Sequence, residues 1–120
     1  MKAFQLFFVL TITLFVIGCS KAGPNVEVNK PENVLLTVEE VAKHASEEDC
    51  WIIIRNKVYG VTDFISEHPG GSFRIIPNCG KDATEGFETQ GGRGSHSQDA
   101  YQLLPEFLLG EIGTTVETTK

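Results

Sequence analysis

The sequence predicts an α+β domain, a small mixed sheet at one end with two short helix pairs that leave a pocket rather than a closed core. Three observations carry this expectation. The stretch Cys50 to Val61 sets β-branched and aromatic runs on either side of a polar turn, the pattern of a hairpin. Start signals at Thr37, Thr62 and Asp82 open helices that glycines and prolines cut short. Two glycine-rich bends, Pro69-Gly70-Gly71 and Gly91-Gly92-Arg93-Gly94-Ser95, each stand next to a histidine, His68 and His96.

Folding is expected to begin near Val34, with Leu35-Leu36 as a short strand. Thr37-Val38-Glu39-Glu40 is a capping-box signature that opens a helix through His44, with Val38, Val41 and Ala42 as its apolar stripe. His44 falls near the end of that helix and reads as a surface histidine, not a ligand. The hairpin pairs Cys50–Ile54 with Val58–Val61 around Arg55-Asn56-Lys57. Thr62 can cap a short helix over Asp63–Glu67 that delivers Phe64 and His68. Ser72–Ile76 reads as helical, with Pro77 stopping it. Lys81–Phe87 opens another helix, with Asp82 and Glu85 in capping-box spacing. Ser97 to Leu109 is a further helical region, interrupted at Pro105 and ended by Gly110, with Leu103, Leu104, Phe107 and Leu108 turned inward. Residues 113–120 read as a Thr-rich polar tail, in which no membrane anchor is expected.

At 120 residues the chain holds one domain plus appendages. Residues 1–18 carry one positive charge and then a mostly apolar run, which reads as a secretory signal because about 18–20 apolar residues are needed to span a bilayer. Val16-Ile17-Gly18-Cys19 resembles a bacterial lipobox, with Cys19 as the lipidated N-terminus. An ordinary signal peptide cut after Ser20-Lys21-Ala22 is the alternative. Ser20 after the cysteine favours the outer membrane, so the expected location is periplasmic and lipid-anchored. Residues 19–33 read as a flexible tether that sets the domain roughly 20 Å from its anchor. Removing the leader takes away Lys2 and no acid, so the net charge moves from −6 to about −7. That sign argues against nucleic acid, whose phosphates call for Lys and Arg. It suits a basic protein partner, although solubility alone also accounts for it. Cys50 and Cys79 in an exported chain are a disulfide candidate; two buried free thiols are the other reading.

The constellation that carries chemistry is His68-Pro69-Gly70-Gly71 with His96. Proline holds the turn, and two residues without Cβ let a flat ligand approach the backbone beside the imidazole. His96 stands 28 positions further on (96 − 68). Two such histidines can close on one planar group from both sides, as ligands of a haem iron. Taken by itself, H-P-G-G is equally a tight turn with an exposed histidine.

Asp49-Cys50-Trp51-Ile52, Gly60-Val61-Thr62-Asp63-Phe64, His68-Pro69-Gly70-Gly71, Gly80-Lys81-Asp82-Ala83-Thr84-Glu85-Gly86-Phe87, His96-Ser97 and Phe107-Leu108-Leu109-Gly110-Glu111 together resemble the cytochrome b5 family, from about Val34 to Ile112. The resemblance implies a cytochrome b5-like fold over residues 34–112 and a non-covalent haem b with His68 and His96 as axial ligands. It implies Phe64 and Phe87 as walls against the porphyrin, Leu103 and Phe107 as further lining, Pro69 and Gly70 as the turn at the ring, and Ser97 as the residue that bonds a propionate. The spacing between the histidines is longer than the family pattern, and the extra length lies in Gly91–Ser95.

No C-x-x-C-H occurs, so covalent c-type attachment is not expected. With two axial ligands the expected function is one-electron transfer by a monomeric carrier with no substrate chemistry of its own. Two other classes stand beside it: a non-redox haem or small-ligand binding module of the same fold, and a zinc protein using both histidines and both cysteines. The spacing matches no zinc-finger pattern.

Overall fold

The computed structural model describes residues 32–118. The leader, Cys19 and most of the expected tether lie outside the described residues. The hairpin is the spine of the domain: β3 (Asp49–Ile54) pairs antiparallel with β4 (Lys57–Gly60), Ile52 opposite Tyr59 and Ile53 opposite Val58. The turn holds two residues, Arg55 and Asn56, with φ of 49° and 65°. Such a left-handed pair matches the strand twist, which is why an asparagine serves here. β2 (Ala45–Ser46) extends one edge, and β6 (Leu108–Glu111) pairs with β4 on the other. β5 (Lys81–Asp82) runs parallel to β3, which makes the sheet mixed as expected.

Side chains alternate across a strand, and β3 is buried on both faces. Cys50, Ile52 and Ile54 join Tyr59, Val61, Ile65, Cys79 and Ala83 in one core cluster. Trp51 and Ile53 join Val58, Leu36 and Val41 in the other. The first cluster is covered by short helical segments. On one side these are the 3-10 turns Ile65–Glu67, Ser72–Arg74 and Ile76–Asn78. On the other are α2 (Thr84–Thr89), α3 (Gln98–Leu103) and the 3-10 turn Leu104–Phe107. Cys50 and Cys79 are joined by a disulfide, Cα atoms 4.9 Å apart, which ties β3 to the segment leading into β5. Both thiols are thereby unavailable to a metal.

Several expectations need correction. α1 spans only Val38–Val41: Thr37 caps it, accepting from the Glu40 N–H at 3.0 Å, but Val38 is 58% exposed and Val41 alone is buried. The Thr62 hydroxyl does not cap a helix; it accepts from the Cys50 N–H at 2.9 Å and ties the hairpin to the next turn. Pro77 does not end a helix, since it lies in the first turn of Ile76–Asn78, where its missing N–H costs nothing. Lys81 and Asp82 are strand, not helix. Leu108–Glu111 is also strand, so Leu108 faces outward at 42% exposure and Gly110 sits inside a ladder. The tail is not outside the domain: β7 (Thr115–Thr118) pairs with β1 (Glu32–Leu35), Val116 opposite Val34. Both valines pack on the Trp51 cluster.

Candidate functional site

His68 ends the 3-10 turn Ile65–Glu67 in extended backbone, where Pro69 prevents the turn from continuing. Its Nδ1 lies 3.2 Å from the Gly71 carbonyl oxygen. A carbonyl only accepts, so Nδ1 carries the proton and Nε2 keeps the lone pair. The two glycines serve the chain itself. A Cβ at Gly70 would sit 2.8 Å from His68 Cε1, and one at Gly71, whose φ is +87°, would sit 2.6 Å from the Phe73 ring. The clearance expected for a ligand is thus first a clearance for the imidazole. Phe64 meets His68 edge-on, centroids 5.7 Å apart, and packs on Phe107 at 4.9 Å.

His96 is held by the same logic on the other side. Its Nδ1 donates to the carbonyl of Phe87 in α2, again leaving Nε2 as the lone-pair nitrogen. The Phe87 ring stacks on the imidazole, centroids 4.3 Å apart and planes 7° from parallel. The Gly91–Ser95 stretch reaches His96 through a compact loop in which the N–H groups of Gly92, Arg93 and Gly94 all point to the Thr89 carbonyl. Gln90 closes the loop by donating to the Ser95 carbonyl at 2.7 Å. Ser97 caps α3, its hydroxyl oxygen accepting from the Ala100 N–H at 3.3 Å. That leaves the hydroxyl proton free to be donated.

Phe87 and Phe107 both pack, half-buried, against the Cys50–Ile52 cluster, together with Leu104, Ile75 and Ile76. Leu103 is half-buried but outside that cluster, and Pro69 is exposed. His44 departs from the surface residue expected. Its ring stacks on Trp51 at 3.6 Å, with Nδ1 2.7 Å from Asp49 and Nε2 3.7 Å from Glu40. With both ring nitrogens facing carboxylates, it is a structural residue. The orienting acceptors of His68 and His96 were invisible in the sequence because any residue carries a carbonyl. Tyr101, edge-on to Phe87 at 5.1 Å, was also missed, although an aromatic one turn after Ser97 was a signal to be had.

The donor set fits haem iron: two imidazoles, each oriented through Nδ1 by a backbone carbonyl, with aromatic rings beside them.

The family profile described as Cytochrome b5-like Heme/Steroid binding domain matches residues 37–113. Rice cytochrome b5 is 47% identical over 79 residues, covering 66% of this chain and 55% of that protein. Mouse cytochrome b5 type B is 41% identical over 93 residues, covering 78% and 61%. The chain therefore spans little more than half the length of these curated relatives. Among solved structures, Ectothiorhodospira vacuolata cytochrome b558, described as a prokaryotic homologue of cytochrome b5, superposes with a TM-score of 0.63 at 37% identity. That match covers 68% of this chain and all of the other. The cytochrome b5 of Ostreococcus tauri virus 2 gives 0.57 at 43% identity, covering 66% and 96%. Fold and sequence agree: the chain belongs to the cytochrome b5-like family, whose domain binds b-type haem.

Proposed function

We propose that this protein is a periplasmic one-electron carrier in which His68 and His96 are the two axial ligands of haem b. The observation that carries this reading is the matched treatment of the two imidazoles. Each gives its Nδ1 proton to a backbone carbonyl, Gly71 or Phe87, and keeps Nε2 for a metal. Cytochrome b5 homologues are electron carriers rather than enzymes. When bound, the haem supplies the Fe(III)/Fe(II) couple. The chain orients the two imidazole rings through their Nδ1 contacts, His68 and His96 would hold the iron, and Phe64, Phe87 and Phe107 offer apolar surface beside them. Ser97 has a hydroxyl proton to give a propionate.

Asp63, Glu67, Asp99 and Glu106 are exposed and flank the site residues along the chain. They support docking to a basic redox partner by electrostatic steering. Export and lipid anchoring through Cys19 rest on the leader sequence. In this reading the carrier works as a monomer.

The test is the visible spectrum of the haem-supplied domain, oxidised and then reduced with dithionite, beside His68→Ala and His96→Ala. The reading expects a low-spin b-type spectrum that turns high-spin or disappears in each variant. A colourless wild type, or a His96→Ala protein with an unchanged spectrum, would favour a non-redox binding module of the same fold.

A further inference from the structure

His96 is oriented by a carbonyl on α2, so whatever fixes α2 against the sheet also fixes the imidazole plane. We propose that Arg55, at the tip of the β3–β4 hairpin, is a positioning residue for His96, clamping α2 and α3 to the sheet. The proposal rests on the reading of His96 as a haem ligand.

Three contacts from one residue carry it. The Arg55 N–H donates to Thr84 Oγ1 at 2.9 Å, at the first residue of α2. Its Nε–H donates to Glu88 one turn further along the same helix. Its guanidinium lies over the Tyr101 ring of α3, 5.9 Å from the centroid. Tyr101 meets Phe87 edge-on, and Phe87 stacks on His96. One route to the imidazole therefore runs through side chains, Arg55 to Tyr101 to Phe87. The other runs through the α2 backbone to the Phe87 carbonyl that accepts the His96 proton.

The backbone of Arg55 is an independent observation. Its φ of 49° lies in the left-handed region, which favours glycine and asparagine over a long side chain. A cation stands where the turn alone calls for something smaller, and the contacts of its side chain supply the reason. Exposed ion pairs add little to folding stability, so orientation is the property to measure. Arginine is the suited cation because its Nε–H bonds a carboxylate while its planar guanidinium lies over an aromatic ring.

Arg55→Asn is the sharpest variant, since asparagine suits the turn and removes both guanidinium contacts while keeping the backbone bond to Thr84. Haem-loaded wild type, Arg55→Asn, Arg55→Lys and His96→Ala are compared by electron paramagnetic resonance of the ferric state, which senses the relative orientation of axial imidazole planes, and by haem transfer to apomyoglobin. Arg55→Asn is expected to shift the low-spin g-values and to release haem about tenfold faster, the lower end of the effect of losing an outer-sphere partner. Arg55→Lys is expected to recover part of both. Wild-type g-values and release rate in Arg55→Asn overturn the proposal, even if its Tm falls. Should Arg55→Asn not fold, Glu88→Gln and Tyr101→Leu decide by the same two readouts, unchanged values again overturning it. A colourless wild type, or an unaltered His96→Ala, fails the haem-ligand reading and the proposal with it. An unaltered Arg55→Asn beside a bis-histidine wild type sinks the proposal alone.

Discussion

A single missing methyl group decides how His68 stands. Gly70 does not occupy the left-handed region, so alanine is conformationally permitted there, and the only obstacle is contact. The added Cβ would lie 2.8 Å from His68 Cε1 and 3.2 Å from its Nδ1, with Arg74 Cδ at 3.1 Å on another side. The imidazole must turn, and turning it lengthens a bond to the Gly71 carbonyl that is already 3.2 Å. Gly70→Ala is therefore expected to weaken haem binding about 10–100-fold, the usual consequence of losing an orienting partner. Thermal stability of the haem-free protein should move by under about 1 kcal/mol. Haem titration followed by the Soret band measures the first, and equal affinity in wild type and variant would show that the ring has room to spare. The motif H-P-G-G was legible in the sequence, but its reason was only half legible. The sequence suggests space for a ligand; the structure shows space for the ligating side chain and, at Gly71, for the Phe73 ring.

The elements best read from sequence are those whose partner lies close along the chain. The β3–β4 hairpin is legible because both strands and the Arg55-Asn56 turn form one local pattern. The N-cap at Thr37 is legible for the same reason, although the reciprocal half of the expected capping box does not form, because the Glu40 carboxylate turns to Lys43 and His44. Elements that depend on distant partners were not. Lys81–Asp82 is too short to show a period and becomes a strand only because β3 lies beside it. Phe107-Leu108-Leu109 continues a helical apolar run by composition, yet β4 recruits Leu108–Glu111 into the sheet. Thr115-Val116-Glu117-Thr118 alternates as a strand should, but its partner β1 stands at the opposite end of the domain. The start of α2 offers an acid-dependent test. The Thr84 hydroxyl and then its backbone N–H hold the Asp82 carboxyl below the ordinary aspartate range. A depressed pKa means that the stabilisation is fully present above the unfolded-state pKa and is lost as pH falls through the folded one. Asp82→Ala is expected to cost about 1 kcal/mol at neutral pH, in the range for losing a helix-start acceptor. That gap should close as pH drops below about 4. Tm measured across pH for both proteins checks it, and a gap that persists at about pH 2 would assign the cost to something other than the charge.

At the scale of the molecule, the sheet divides two cores of different character. The Trp51 side is closed by Leu36, Val41 and Val58, all fully buried, and sealed by β1 and β7. The Ile52 side is bounded by half-buried Ile75, Ile76, Phe87, Leu104 and Phe107; Phe87 stacks on His96, and Phe107 packs on Phe64, which meets His68 edge-on. A small domain with one open side has less apolar burial to spare, and the Cys50–Cys79 disulfide spans that side, joining residues 29 apart. On the chain-entropy account, closing a loop of this length contributes about 3–4 kcal/mol by constraining the unfolded chain. Reduction is then expected to lower Tm by about 15–25 °C in a domain of this size. Differential scanning calorimetry with and without a thiol reductant measures it, and a change of only a few degrees would mean that the bond closes no entropic loop of consequence. Haem acts on the other side of the equilibrium, since it stabilises the folded state by mass action. The drop on reduction should therefore be of similar size in haem-loaded and haem-free protein. If instead reduction costs far more in the loaded form, the disulfide shapes the pocket itself, because Cys50 and Cys79 share their cluster with the rings that line it.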